Sequence, residues 1–367
     1  MQISSSKLNQ IIFYKQKLSA PVDDPMQAVE SLFAIQNQYP STACQVLWAR
    51  TKKYTPGWIE EKLYTEKSLI KTWNLRWTIH IIKTQDLPVL ISSCNAFYYQ
   101  RISSILLKQK KLSQERIEEL NSEIKSFLCD SPVTKEYIHS KIPHLTENFG
   151  DSWASEFKLL SFKGLLNIVT GKKNKTGFVR TDMWIGKSLP VIDIKQAYGI
   201  LLEKYLNGYG PAQISEFAYW AGVQKKHAEI AVNSIKHKLI KIYDKNKKEF
   251  LMLKQDLSLL EDTLPEIPEI LILPKFDVLN LFSKNKLIVT DDSIKKLIFR
   301  KAGQIEAVIL INGLAGGTWR MTKTSSKISF NICMFGKISK KIKMELERKF
   351  FSLADLYGIK ECSFVYE

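Results

Sequence analysis

The hydrophobic pattern of the chain switches between a helical and a strand period, and the switch recurs along its length. Near the N-terminus, Met26, Val29 and Phe33 of DDPMQAVESLFAIQNQ form an apolar row at helical spacing. Asp24 caps this helix and Pro25 fits its first turn. Gln36 is the next member of the row, so an amide stands where a hydrophobe is expected. A buried amide costs free energy unless something hydrogen-bonds to it. Gln38 lies about 200° further round an ideal helix, and Pro40 disfavours helical geometry at Tyr39. The pattern therefore predicts a helix that runs to Gln38 and leaves there, an exit that brings both amides to one point. A polar helix end satisfied by caps and water is the plainer reading of the same residues.

Two further helical stretches follow, STACQVLWARTK and PGWIEEKLYT. KSLIKTWNLRWTIHIIK then alternates like a hairpin about Asn74. Helices followed by a hairpin make a winged helix. The unit repeats. LPVLISSCNAFYYQRISSILL predicts a long helix, KLSQERIEELNSEIKSFLCD another, and VTKEYIHSKIP with SWASEFKLLSFKGL a helix-turn-helix. A second hairpin follows, in which Gly171 and Gly177 bracket the basic tip of Lys172, Lys173 and Lys175. In the third copy a helix stops at Gly208-Tyr209-Gly210, PAQISEFAYWAGV and QKKHAEIAVNSIKH follow, and a hairpin carries Lys245, Lys247 and Lys248 at its turn. From residue 270 the signals are short strands with one amphipathic helix, SKKIKMELERKFFSLADLYG. The predicted fold is α+β: three tandem winged-helix motifs (1–85, 86–190 and 191–262) followed by a small C-terminal β-barrel with one helix (270–367).

Composition narrows the partner. The 367 residues carry 54 Lys and Arg against 37 Asp and Glu, a formal net charge of +17. Such an excess predicts attraction to a polyanion, either nucleic acid or an anionic membrane. No apolar run approaches the ~18 residues that span a bilayer, and the first residues lack a signal-peptide core. The five cysteines are scattered without a CxxC pair. Neither a disulfide framework nor a zinc knuckle is implied, and a reducing cytoplasm is the expected compartment.

Several chemistries are excluded by missing motifs. The chain has no P-loop, GxSxG elbow, HExxH or Rossmann fingerprint, and it lacks the HxE with PCxxC of zinc nucleobase deaminases. His139, His144, His227 and His237 have no metal-site spacing. No metal and no cofactor is expected. In the predicted strand LRWTIHII, Arg76, Thr78 and His80 share one face while Trp77 and Ile79 take the other. That polar face lines a cleft in the functional reading and meets solvent in the plain one. Trp319 and Arg320 follow the glycine pair Gly316-Gly317, which reads as a turn, and Arg320 is a candidate contact to nucleic acid.

Taken together, the chain resembles the winged-helix DNA glycosylases of the AlkZ/YcaQ type, which excise alkylated purines, including the linked bases of interstrand crosslinks. The motifs are IQNQ (35–38), LRWTIH (75–80), FVRTDMW (178–184), GYGPAQISEFAYWAG (208–222), LPKFD (273–277) and GLAGGTWR (313–320), in family order over most of the chain. The resemblance implies tandem winged helices with a C-terminal β-barrel around a basic channel. It implies a Gln-x-Gln catalytic pair, here Gln36 and Gln38, with Asn37, Arg76, Thr78 and His80 lining the site. Arg180, in FVRTDMW, joins the wing lysines and Arg320 as an expected DNA contact. Two positions depart from the family pattern: the usually apolar middle residue is Asn37, and the usually small residue after the strand arginine is Trp77.

The implied activity is that of a monofunctional glycosylase acting on N7-alkylated purines in double-stranded DNA, extending to the unhooking of crosslinks. A monomer without membrane attachment is expected. A non-catalytic winged-helix regulator fits the charge and the wings equally well, but it does not predict a polar pair at a buried helix end.

Overall fold

The computed structural model describes residues 1–145, 154–170, 175–281, 288–289 and 291–367. The chain forms two compact units. The first comprises Met1–Ile59, Glu203–Trp220 and His237–Glu367, and the second Glu60–Leu202 and Ala221–Lys236.

In the first unit, the opening pattern gives a helix at Pro25–Leu32. Asp24 caps it by accepting from the Met26 amide at 2.9 Å, with Pro25 in the first turn. The helix is shorter than its apolar row suggests. Phe33 adopts φ +63° and ends it, and Ala34–Gln36 continue as a short strand. The exit predicted at Gln38 thus falls five residues earlier. The hairpin of Leu239–Tyr243 and Glu249–Leu253 forms as expected, with lysines at its turn. Its apolar face joins Ile3, Ile11, Ile242, Phe250, Met252 and Leu264 in one core.

The C-terminal strands lie in the order Glu361–Tyr366, Lys327–Met334, Leu314–Lys323, Ala307–Ile311, Ile270–Leu273. Only the first pair is parallel, joined by the crossover helix Lys340–Asp355. The expected barrel is instead an open five-stranded sheet among the described residues. The helix explains why. Leu346, Phe350, Leu353 and Ala354 cover the face that carries Trp319, Phe330 and Ile332, so the sheet need not close to bury it. Gly316 and Gly317 lie within the Leu314–Lys323 strand at a register shift, not at a turn; the turn is made by Asn312 and Gly313, both at positive φ.

A fully buried ion pair anchors this unit. Arg50 donates to both oxygens of Asp277 at 2.8 Å, and neither side chain is exposed. Arg50 also donates to the Val46 carbonyl at 3.0 Å, while Asp277 accepts from the Leu279 amide at 2.9 Å. The planar fork matches the carboxylate, and further bonds offset the cost of burying both charges.

The second unit holds two antiparallel hairpins, Leu69–Trp73 with Ile79–Lys83 and Leu166–Thr170 with Thr176–Arg180. Trp73 packs on Phe178 at 6.0 Å, and Phe178 stacks on Phe157 at 4.4 Å, so the hairpins and the Ser155–Phe162 helix share an aromatic core. The long helix expected from residue 87 is Leu87–Leu90 and Ala96–Gln109, joined through a wider turn at Ile91–Asn95.

Candidate active site

The exit from the Pro25–Leu32 helix is built by the GYGPAQISEFAYWAG segment. Gly208 passes so close to the Ser31 carbonyl that a Cβ there would lie 2.0 Å from the oxygen. Tyr209 donates its hydroxyl to the Leu32 carbonyl at 2.8 Å, satisfying an acceptor that the helix no longer uses. The Phe33 ring, turned inward by the positive φ, meets Trp220 at 6.0 Å, and Trp220 packs on Tyr205 and Tyr209. An aromatic wall thus holds the residue from which the Ala34–Gln36 strand starts.

The two residues of the predicted pair and the Asn37 between them differ in environment. Gln36 is 4% exposed, Asn37 is 6% exposed and Gln38 is exposed. Helical steps no longer separate the two amides, because Gln36 lies on a strand. The strand ends at Gln36, and Gln38 lies in the bend that follows it. Asn37 carries a cost, since its buried Oδ1 has no hydrogen-bond partner among the described residues.

Arg76, Thr78 and His80 lie in the second unit, and they do not share a strand face as expected. Leu75–Trp77 form a tight turn, and the strand begins at Ile79. Arg76 and Trp77 both take positive φ, at 54° and 65°. Such backbone persists in non-glycine residues only where neighbours enforce it. The Tyr98 hydroxyl accepts from the Arg76 amide at 3.0 Å and donates to the Ala221 carbonyl. Asn74 Oδ1 accepts from the Leu75 amide at 2.6 Å, and the Asn74 amide donates to the Thr78 carbonyl at 3.0 Å. Gly222 closes the clamp, because a Cβ there would lie 2.9 Å from the Tyr98 hydroxyl. The bulk of Trp77 is accommodated by the edge of Tyr98 and by the Arg101 guanidinium, 5.3 Å from its ring.

His80 is 1% exposed. Burial, reinforced by the Arg76 charge and opposed by the hydrogen bond to the Thr78 carbonyl, pushes its imidazole down to about 3. It is therefore neutral near pH 7. Its Nδ1 lies 3.1 Å from that carbonyl oxygen and must donate, which leaves Nε2 as an acceptor.

The expected DNA contacts are distributed over both units. Lys175 is exposed beside the Thr176–Arg180 strand, while Lys172 and Lys173 lie outside the described residues. Arg180 donates to both oxygens of Asp182 at 2.8 and 2.9 Å, so its fork is already engaged. Lys245, Lys247 and Lys248 are exposed. Their turn is fixed by Asp244 Oδ1, which accepts from the Asn246 and Lys248 amides at 2.8 and 2.9 Å. Arg320 is exposed and donates to Glu306 Oε1 at 2.9 Å. Its neighbour Trp319 instead points into the core and donates to the Leu273 carbonyl at 3.0 Å.

Three residues around Arg320 escaped the sequence reading. Glu306 is buried beneath it, and Lys275 and Arg300 approach the same carboxylate at 3.2 and 3.7 Å. Burial pushes the Glu306 carboxyl up, but the Arg320 hydrogen bond and the Lys275 ion pair outweigh that and hold it below the ordinary carboxylate value. Lys275 sits in the LPKFD motif, which was the available signal.

A mixed α+β chain with a buried amide on a strapped strand and a large positive charge fits a protein directed at a polyanion, and comparison narrows it. The family model described as "DNA glycosylase AlkZ-like" matches residues 29–356. The chain belongs to this family of DNA glycosylases, enzymes that hydrolyse N-glycosyl bonds. It is 24% identical over 269 residues, 69% of this chain and 71% of the relative, to an "Interstrand DNA cross-link repair glycosylase" of Streptomyces sahachiroi. The solved structure of Streptomyces sahachiroi DNA glycosylase AlkZ has the same fold, with a TM-score of 0.85 at 19% identity over 100% of both chains. The matched span contains every candidate site residue named above. No described helix is long and apolar enough to cross a membrane.

Proposed function

We infer that the protein is a monofunctional DNA glycosylase that hydrolyses the N-glycosidic bond of N7-alkylated purines in duplex DNA and unhooks interstrand crosslinks built on them. The observation that carries the reading is the buried Gln36 on a strand whose start is held by Phe33, Gly208 and Tyr209, in a chain whose family is one of DNA glycosylases. The name of the Streptomyces sahachiroi relative, a cross-link repair glycosylase, supports the extension to crosslinks.

An N7-alkylated purine is already cationic, so its bond to the sugar is weakened and the leaving base needs little protonation. The enzyme must then place a water molecule and tolerate an oxocarbenium-like sugar. A glutamine is a poor base, but its carbonyl accepts from water and its amide donates to it. In this reading Gln36, at the end of its strand, and Gln38, in the bend beyond it, hold the water between them. Neutral His80 adds no proton. The three hairpins act as wings of tandem winged helices over 1–85, 86–190 and 191–262, with 270–367 as a fourth domain, and Lys172, Lys173, Lys175, Lys245, Lys247 and Lys248 bind phosphates. The protein works as a monomer and without cofactor or metal.

The reading is tested by incubating the native protein with duplex DNA containing 7-methylguanine, with and without borohydride. Release of free base without a covalent protein–DNA adduct is expected. An adduct trapped by borohydride contradicts the monofunctional mechanism, and absence of release from any alkylated duplex contradicts the substrate class.

A further inference from the structure

The first unit contains a cavity of about 250 Å³ that the catalytic reading does not use. Its walls include Tyr39, Ser41, Gln45, Lys275, Trp319 and Arg320. Lys275 and Arg320 share the buried Glu306 with Arg300 just outside the cavity. Three cations on one carboxylate leave two positive charges uncompensated. Among the described residues, none of the three cations has another carboxylate within ion-pair distance. Glu306 also fixes where the cations stand, so their positions do not have to be organised when a ligand arrives.

The dimensions and chemistry select the ligand. The volume falls below the ~300 Å³ at the small end of sites that enclose a whole small molecule, so an entire nucleotide does not fit. A phosphodiester group does. The Arg320 guanidinium and the Lys275 ammonium, both in the lining, match a tetrahedral anion. The apolar floor of Trp319, Met321 and Ala307 suits the face of an attached sugar. The wall begins at Tyr39, the residue directly after Gln38, and Tyr39 is braced by stacking on Phe276 at 5.8 Å. Whatever binds here lies beside the segment that carries the amide pair.

We propose that this cavity holds one backbone phosphate of the DNA next to the damaged base, clamped by Lys275 and Arg320 over Glu306. The proposal rests on the glycosylase reading for the identity of the nucleic acid. It assigns Lys275 and Arg320 as positioning residues that set the register of the lesion against Gln36 and Gln38.

The test is fluorescence anisotropy with a duplex that bears a stable abasic-site analogue, in which a single neutral methylphosphonate is moved along each strand. Wild-type protein is expected to lose roughly tenfold in affinity at one position beside the analogue, as for loss of a hydrogen bond to a charged group. Lys275→Ala and Arg320→Ala should bind the unmodified duplex roughly tenfold more weakly and lose their sensitivity to that one position. Their slope of log affinity on log salt should fall by about 1. Variants that remain as sensitive as wild type at every position, or keep the wild-type salt slope, overturn the proposal. The analogue has no base to release, so a protein inactive on alkylated DNA still gives this pattern if the phosphate site is real. Base release with unchanged methylphosphonate sensitivity in the variants removes the phosphate site alone. Circular dichroism of both variants confirms that they remain folded, which the exposure of the Arg320 side chain favours.

Discussion

Gly208 and the Ser31 carbonyl approach so closely that no side chain fits between them; a Cβ would stand 2.0 Å from that oxygen. The obstructing atom belongs to the backbone and cannot rotate away. Gly208→Ala should therefore cost about 3 kcal/mol, the upper end for overpacking a core. Urea unfolding measures this. A loss below about 0.5 kcal/mol, the size of an ordinary surface change, shows that the two segments can separate freely. Because Ser31 lies two residues before Phe33, base release by Gly208→Ala should fall together with stability.

This contact also explains what could and could not be read from the chain. The capped start at Asp24 and Pro25 was legible, because capping is local chemistry. The helix end was not. Leu32 hands its carbonyl to Tyr209, 177 residues away, and Phe33 turns into a wall built by Tyr205, Tyr209 and Trp220. Nothing near Phe33 announces a positive φ. The tight turn at Arg76 and Trp77 was hidden for the same reason, since its clamps are Tyr98 and Gly222. All three hairpins were legible from alternation and turn residues, whereas the open edge of the C-terminal sheet depends on where the Lys340–Asp355 helix lands. The Arg50–Asp277 pair joins residues 227 apart, and no local pattern marks either charge as buried. At the candidate site, the amide pair and Arg320 were visible as residue types, but the grouping of Lys275, Arg300 and Arg320 on Glu306 required the sheet register.

His80 makes a prediction about acid stability. Its folded-state value is pushed down to about 3 by burial, so between pH 6.5 and that value the unfolded chain takes up a proton that the folded chain does not. Stability should fall as pH falls through this window, by up to about 1.4 kcal/mol per pH unit from this residue. His80→Gln should flatten that limb in chemical unfolding followed from pH 7 to pH 4. An unchanged slope contradicts the assignment of a buried neutral imidazole.

Asn37 invites the opposite kind of change. Its buried Oδ1 lacks a hydrogen-bond partner among the described residues, a desolvation cost of about 1–3 kcal/mol. Replacing it with the similarly sized Asn37→Leu removes that cost and adds an apolar contact. The variant should be more stable than wild type by about 1 kcal/mol in urea unfolding. A loss of stability of that size shows instead that the amide is satisfied, by a bound water for example.

Gln36 and Gln38 carry the proposed chemistry. The most direct measurement is the single-turnover rate of base release from a 7-methylguanine duplex by wild type, Gln36→Ala and Gln38→Ala, with duplex affinity measured in parallel. If the amides position the attacking water, each variant should lose roughly 100-fold or more in rate while binding undamaged duplex within about twofold, roughly 0.4 kcal/mol, of wild type. Release at the wild-type rate by either variant contradicts the assignment of a water-positioning glutamine pair.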